Sequence, residues 1–232
     1  MEKYVVRNIN RTSREITEEF AKLGTATVYE AQGKQGLMCD SIKPIQQGVS
    51  VCGPAVTALC YAGDNLMIHA AIEVCKPGDI LVVSTIGDSK CGMIGDLIVQ
   101  SLIKKGVKGL IIDSGIRDVS RIRELGFPVW SKYITCHGTT KVRGGWVNSP
   151  SECGGTLVNP GDLIVADDDG IVVVRQDEIQ DSLNASKKRE EKEKHTVEKI
   201  NAGQLGVDFY GFRDVLKKQN VKYYSSKEDI KG

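Results

Sequence analysis

The chain lacks an excess of either charge: 31 basic residues face 30 acidic ones over 232 positions, a formal net charge of +1. That balance leaves no electrostatic footprint for nucleic acid or an anionic membrane, so any partner must be recognised locally. Long hydrophobic runs are missing too, none approaching the ~20 residues a bilayer-spanning helix needs. The opening "MEKYVVRNINRTSREI" has no apolar stretch of the signal-peptide kind, and a cytoplasmic protein is expected. Seven cysteines (Cys39, Cys52, Cys60, Cys75, Cys91, Cys136 and Cys153) include no C-x-x-C pair, which argues against both a zinc site and a disulfide framework. G-x-S-x-G is absent, and the glycines of "GTTKVRGGWVNSPSECGG" match no phosphate loop. The three histidines, His69, His137 and His195, lack metal-ligand spacing. His69, set among Met67, Ile68 and Ala70, reads as a core residue.

What is present is an alternation of helical and strand-like segments. "RTSREITEEFAKLG" carries the capping-box pattern Thr12 with Glu15, "TATVYEAQG" reads as a second short helix, and "GDNLMIHAAIEVCKPGD" as a third, with Asp64 near its N-cap. "DILVVST" and "KGLIID" are unbroken apolar runs, as strands covered on both faces are. Between them Gly95-Asp96 starts a helix that Gly106 ends, and Arg117-Asp118 opens another. This predicts an α/β fold with parallel pairing. From Pro128 the period falls to two, and "PVWSKY", "TTKVRGGW", "GGTLVNPGD" and "LIVADDDGIVVV" predict a β-rich layer of the same domain. The domain is drawn over 1–175, with a helical extension over 176–232 that packs on the same or a neighbouring subunit; "GVDFYGFRDVLKKQ" within it reads as one docking helix.

Chemistry gathers where elements end. In "GDLIVQSLIKKGVKGLIIDSGIRD", Asp96 is followed, after residues 97 to 116, by Arg117-Asp118. If the two ends converge at the carboxyl edge of parallel strands, the helix start after Gly95 offers N–H groups to an anion, and Arg117 can grip a carboxylate or enolate. Asp118 can ligate a hydrated divalent cation, with Asp96 orienting a water on it. The plain alternative is that both aspartates favour helix N-termini through the dipole and Arg117 is a surface residue. "VADDDG" reads as a tight turn in preference to a second metal site. Lys132 has the makings of a Schiff-base lysine, but an alternating strand also puts a lysine in water without chemical purpose.

The Asp-x20-Arg-Asp spacing resembles the signature of class II pyruvate aldolases that act on 4-hydroxy-4-methyl-2-oxoglutarate and 4-carboxy-4-hydroxy-2-oxoadipate, relatives of the regulator of ribonuclease activity A. "TATVYEAQG", "HGTTKVRGGWVN", "VNPGDLIVADDDGIVVV" and "LGVDFYGFR" are similar to segments of the same family, over roughly residues 15 to 215. The resemblance implies a β/β/α sandwich of the swivelling phosphohistidine-domain type, trimeric or hexameric, with active sites between subunits. It implies Mg²⁺ or Mn²⁺ on Asp118, a 2-oxo acid substrate whose pyruvyl part meets Arg117, and a carboxylate held at Gly95 by the backbone N–H groups of Leu97 and Ile98. Asp96 would hold a water on the metal that moves the protons, and oxaloacetate decarboxylation would be a side activity. An acidic residue from a neighbour's C-terminal helix would approach the metal, with Glu193 preferred over Glu190 and Glu191; a solvated charge run accounts for all three equally well. Two other readings are a protein-binding regulator of the ribonuclease-regulator kind and a class I aldolase built on Lys132.

Overall fold

Along the central strands, successive side chains are claimed by two different cores. The computed structural model describes residues 2–230, which divide into two compact units between Ser186 and Lys187. The first contains β1 (Tyr4–Val5), α1 (Arg14–Phe20), α2 (Thr25–Ala31), β2 (Lys43–Pro44), β3 (Val51–Tyr61), α3 (Leu66–Val74), β4 (Ile80–Ile86), β5 (Gly92–Ile94), α4 (Asp96–Lys104), β6 (Gly109–Ile116), α5 (Val119–Glu124) and β7 (Val129–Ile134). It continues with β8 (Trp146–Val147), β9 (Ser151–Cys153), β10 (Thr156–Val158), β11 (Leu163–Ala166) and β12 (Ile171–Val174). The division falls inside α6 (Ile179–Asn201), and α7 (Gly206–Phe209) and α8 (Phe212–Lys218) belong to the second unit.

Strands β3, β4, β6 and β7 lie in parallel, and β5 adds in parallel to the end of β6. Antiparallel partners extend this set: β8 and β11 on β3, β12 on β11, and β2 on β7. The product is a mixed 10-stranded sheet in a mixed α/β fold. Leu81 and Val83 of β4, with Leu110 and Ile112 of β6, pack beneath Ile68 of α3, Val99 and Leu102 of α4 and Ile122 of α5. Their neighbours Ile80, Val82 and Ile111 point the other way, onto Trp130, Ile164 and Val173. Burial on both faces is why these strands carry unbroken apolar runs. Each such side chain contributes roughly 1.5–3 kcal/mol of hydrophobic stabilisation.

Four local expectations change. The cap of α1 is Ser13, whose hydroxyl accepts from the Ile16 N–H, so the Thr12–Glu15 box does not form. "PVWSKY" is β7, a member of the parallel set and not of a separate layer. "TTKVRGGW" forms a loop until Trp146, because its backbone N–H groups bond to the Asp64 carboxylate and not to a strand. The single docking helix is two, α7 and α8, parted at Gly211, which takes a positive φ of 70° that an α-helix interior cannot contain. "ADDDG" is the turn between β11 and β12: the Asp167 carboxylate accepts from the N–H groups of Asp169 and Gly170 and from Thr25.

Candidate active site

The carboxyl ends of β5 and β6 meet. Ile94 lies beside Ile116, and the Arg117 N–H donates to the Ile94 carbonyl at 2.8 Å. Each strand then gives way to a helix, β5 through Gly95 and β6 through Arg117 and Asp118, so residues 22 positions apart share one corner. The first hydrogen bond of α4 runs from the Val99 N–H to the Gly95 carbonyl. The N–H groups of Asp96, Leu97 and Ile98 therefore have no partner within the helix. That of Asp96 donates to Asp118 Oδ2 at 3.4 Å. Asp118 sits in the left-handed region, φ 58° and ψ 32°, which costs a non-glycine residue about 1 kcal/mol or more and which aspartate tolerates better than most. This turn carries its carboxylate back over Gly95.

These groups line a cavity of about 240 Å³ together with Asn65, His69, Gly92, Met93, Gly138, Thr139 and Lys141. Arg117 Nε lies 3.4 Å from Asp118 Oδ2, with both side chains near half exposed, while its terminal guanidinium nitrogens make no hydrogen bond among the described residues. The fork is thus pointed by Asp118 yet free to take a carboxylate. Asp96 accepts from the Gln100 side chain at 3.1 Å and keeps a carboxylate oxygen for the cavity. The sequence placed Gly95, Asp96, Leu97, Ile98, Arg117 and Asp118 at one site, and the structure brings all six together.

Other residues of the same cavity lie outside what the sequence announces. Asp64, 1% exposed, accepts from the Thr140 hydroxyl at 2.6 Å and from the N–H groups of Val142 at 2.7 Å, Arg143 at 3.2 Å and Leu66 at 3.0 Å. Burial alone would push its pKa up, but these four donors outweigh it and hold the carboxyl below its usual range. The anchored loop presents Gly138, Thr139 and Lys141 to the cavity. His69 lines the cavity and is exposed, not buried: the core face of α3 is Met67, Ile68, Ala71, Ile72 and Val74, and position 69 turns away from it. Helical periodicity carried that signal, whereas nothing local in the sequence distinguishes Lys141 or Asn65.

Other candidates lie elsewhere. Lys132 is absent from the cavity lining; it pairs with Asp113 at 2.9 Å, which raises its pKa, the reverse of what an amine nucleophile needs. Glu193, Glu190 and Glu191 belong to the second unit, where Glu193 pairs with Arg189 at 3.0 Å, Glu190 with Lys194 at 3.6 Å, and Glu191 lies 4.0 Å from His195. Among the described residues no cluster of three or more His, Cys, Asp or Glu stands ready for a metal. A zinc ion held wholly by protein groups needs such a cluster. A hard ion that keeps its waters fits better: Asp118 Oδ1 has no hydrogen bond among the described residues, and Asp96 lines the same cavity.

A charged cavity at the carboxyl edge of parallel strands, built from a Gly-Asp helix start and an Arg-Asp strand end, defines the class: an α/β protein with its site at the ligand side of the sheet. The chain belongs to the RraA-like family (Aldolase/RraA), whose model matches residues 25–173. A Halalkalibacterium halodurans protein bearing the name "Putative 4-hydroxy-4-methyl-2-oxoglutarate aldolase" is 29% identical over 192 residues, 83% of this chain and 91% of that one. Among solved structures, Streptomyces coelicolor RraAS2, described as an unusual member of the RNase ES inhibitor RraA protein family, is 31% identical with a TM-score of 0.73, covering 82% of this chain and 98% of its own. An uncharacterized protein of Pseudomonas syringae pv. tomato is 25% identical with a TM-score of 0.76, over 85% and 97% of the two chains. Among the described residues no helix is long and apolar enough to cross a membrane.

Proposed function

We propose that the protein is a divalent-metal-dependent pyruvate aldolase. It would cleave 4-hydroxy-4-methyl-2-oxoglutarate to two pyruvates, or 4-carboxy-4-hydroxy-2-oxoadipate to pyruvate and oxaloacetate, with oxaloacetate decarboxylation as a side activity. The observation that carries this reading is the convergence of Gly95, Asp96, Arg117 and Asp118 on one cavity. Asp118 would hold Mg²⁺ or Mn²⁺, which supplies Lewis-acid stabilisation of enolate charge when bound. The N–H groups of Leu97 and Ile98 hold the pyruvyl carboxylate, and Arg117 places fixed positive charge where negative charge develops as the C3–C4 bond breaks. Asp96 orients the water that takes the proton of the C4 hydroxyl and delivers one to C3. The electron pair of the broken bond ends on the pyruvate carbon that receives that proton, so the products balance.

The same reading includes the swivelling β/β/α type and a homotrimer or homohexamer. Val197, Ile200, Leu205, Tyr210, Phe212 and Val215 of the second unit are each more than half or about half exposed, which supports burial against another copy. A carboxylate among Glu190, Glu191 and Glu193 would then reach a neighbour's site.

The test is pyruvate release from 4-hydroxy-4-methyl-2-oxoglutarate and from oxaloacetate, coupled to lactate dehydrogenase, with EDTA and then with metal restored. Loss in EDTA and recovery with Mg²⁺ or Mn²⁺ is expected. A second reading, a protein-binding regulator, is favoured by the Streptomyces neighbour's description. No pyruvate from either substrate under any metal would move the assignment to it.

A further inference from the structure

We propose that the protein carries a second ligand site, for an organic phosphate monoester, at the amino ends of β4 and β6. The cavity there has a volume of about 480 Å³, against about 240 Å³ for the one beside Arg117. Its lining includes Arg11, Thr12, Arg14, Pro54, Pro77 and Lys108. None of these lines the candidate active site at the carboxyl ends of β5 and β6, and the proposal does not depend on the aldolase reading.

Contacts within the protein fix the walls. Arg11 donates to both carboxylate oxygens of the buried Asp79, from Nε at 2.8 Å and from Nη2 at 2.9 Å, so the two charges cancel. The Lys108 N–H donates to the Asp79 carbonyl at 2.8 Å and the Gly78 N–H to the Gly106 carbonyl at 2.9 Å, which ties the turn before β4 to the turn before β6. A β-carbon on Gly53 would collide with the Gly78 carbonyl, so the first of these turns also lies close on β3. Three groups of the lining are left available. The exposed Lys108 ammonium has no ion pair among the described residues. Arg14 pairs with Glu18 one turn along its own helix, an exposed pair of the kind that contributes little. The Thr12 hydroxyl oxygen is buried without a hydrogen-bond partner among the described residues, a cost that a ligand oxygen would remove.

These groups set the ligand's chemistry. With Arg11 and Asp79 cancelling, Lys108 and Arg14 leave two positive charges in the lining, and a phosphate monoester at neutral pH carries close to two negative ones. Thr12 adds a hydroxyl donor, whose bond to a phosphate oxygen is charge-assisted. A bare phosphate would leave most of the cavity empty, whereas Pro54 and Pro77 offer apolar surface to an organic group.

The experiment is calorimetric titration of the full chain with phenyl phosphate, inorganic phosphate and benzoate, on the wild type, Lys108→Met, Lys108→Arg, Thr12→Val and Arg117→Ala. The wild type is expected to bind phenyl phosphate about tenfold or more tightly than either of the other probes. Lys108→Met should weaken phenyl phosphate about tenfold and Thr12→Val about threefold, while Lys108→Arg keeps most of the affinity. Arg117→Ala should leave it unchanged, which separates this cavity from the candidate active site. Lys108 is exposed and the Thr12 hydroxyl makes no bond that valine would break, so these variants should melt with the wild type. Absence of saturable binding, undiminished binding to Lys108→Met, loss of binding in Arg117→Ala, or benzoate or inorganic phosphate as tight as phenyl phosphate overturns the proposal.

Discussion

The Asp118 carboxylate occupies the space a side chain on Gly95 would need. A β-carbon built on Gly95 collides with Asp118 Oδ2 and comes within 3.1 Å of Arg117 Nε. Gly95→Ala must therefore displace both charged groups. Turnover should fall at least 100-fold, about 2.7 kcal/mol of transition-state stabilisation, while the melting temperature moves little because Asp118 and Arg117 lie near the surface. Steady-state kinetics beside a thermal melt would check this, and an Ala variant with normal activity would remove the corner from the mechanism.

Asp118 has two separable properties, its charge and its left-handed backbone. Asp118→Asn removes the charge and keeps a residue suited to positive φ, so metal-dependent activity should be lost with stability nearly intact. Asp118→Ala should lose the activity and in addition about 1 kcal/mol of stability. Arg117→Ala should raise KM for the 2-oxo acid and lower kcat together. Activity assays with and without EDTA, paired with urea denaturation, separate these outcomes.

Asp64 predicts a pH dependence. Its folded-state pKa is depressed by hydrogen bonds despite burial, so the stability it contributes is fully present above the unfolded value of about 4 and is lost as pH falls through the folded value. Asp64→Ala should cost about 2–3 kcal/mol at pH 7 by leaving buried donors unpaired, and should flatten the loss of stability below pH 4. Denaturation midpoints measured from pH 7 down to pH 3 would show the difference; parallel curves would contradict it.

Lys132→Met tests the amine mechanism. With its ammonium stabilised by Asp113 and away from the cavity, its replacement should leave turnover within about threefold, and borohydride with pyruvate should trap no adduct. Mass spectrometry of the borohydride-treated protein reads this directly, and a pyruvyl-lysine adduct at Lys132 would reinstate the class I route.

The central elements were legible because their burial is regular. Ile80 to Val83 and Leu110 to Ile112 are apolar on both faces, and Gly95 and Gly106 punctuate α4 at its ends. The charged half of the site was legible for the same reason: Asp96, Arg117 and Asp118 follow directly from where those elements stop. The other half was not. Thr140 to Arg143 looks like a strand by residue type, yet its hydrogen bonds go to Asp64, more than 70 positions earlier, and no local pattern announces that. His69 has apolar neighbours in sequence, but the 3.6-residue period of α3 turns it outward.

The anchoring of that loop has a consequence for engineering. Asp64 grips the chain through the backbone at 142 and 143 and through Thr140, so the loop's path does not depend on the identities of Thr139 and Lys141. Those two positions can be randomised as a library for new ligands while the glycine-bounded corner of β5 and β6 is left untouched. The molecule thus separates a variable half from a constant one within a single cavity.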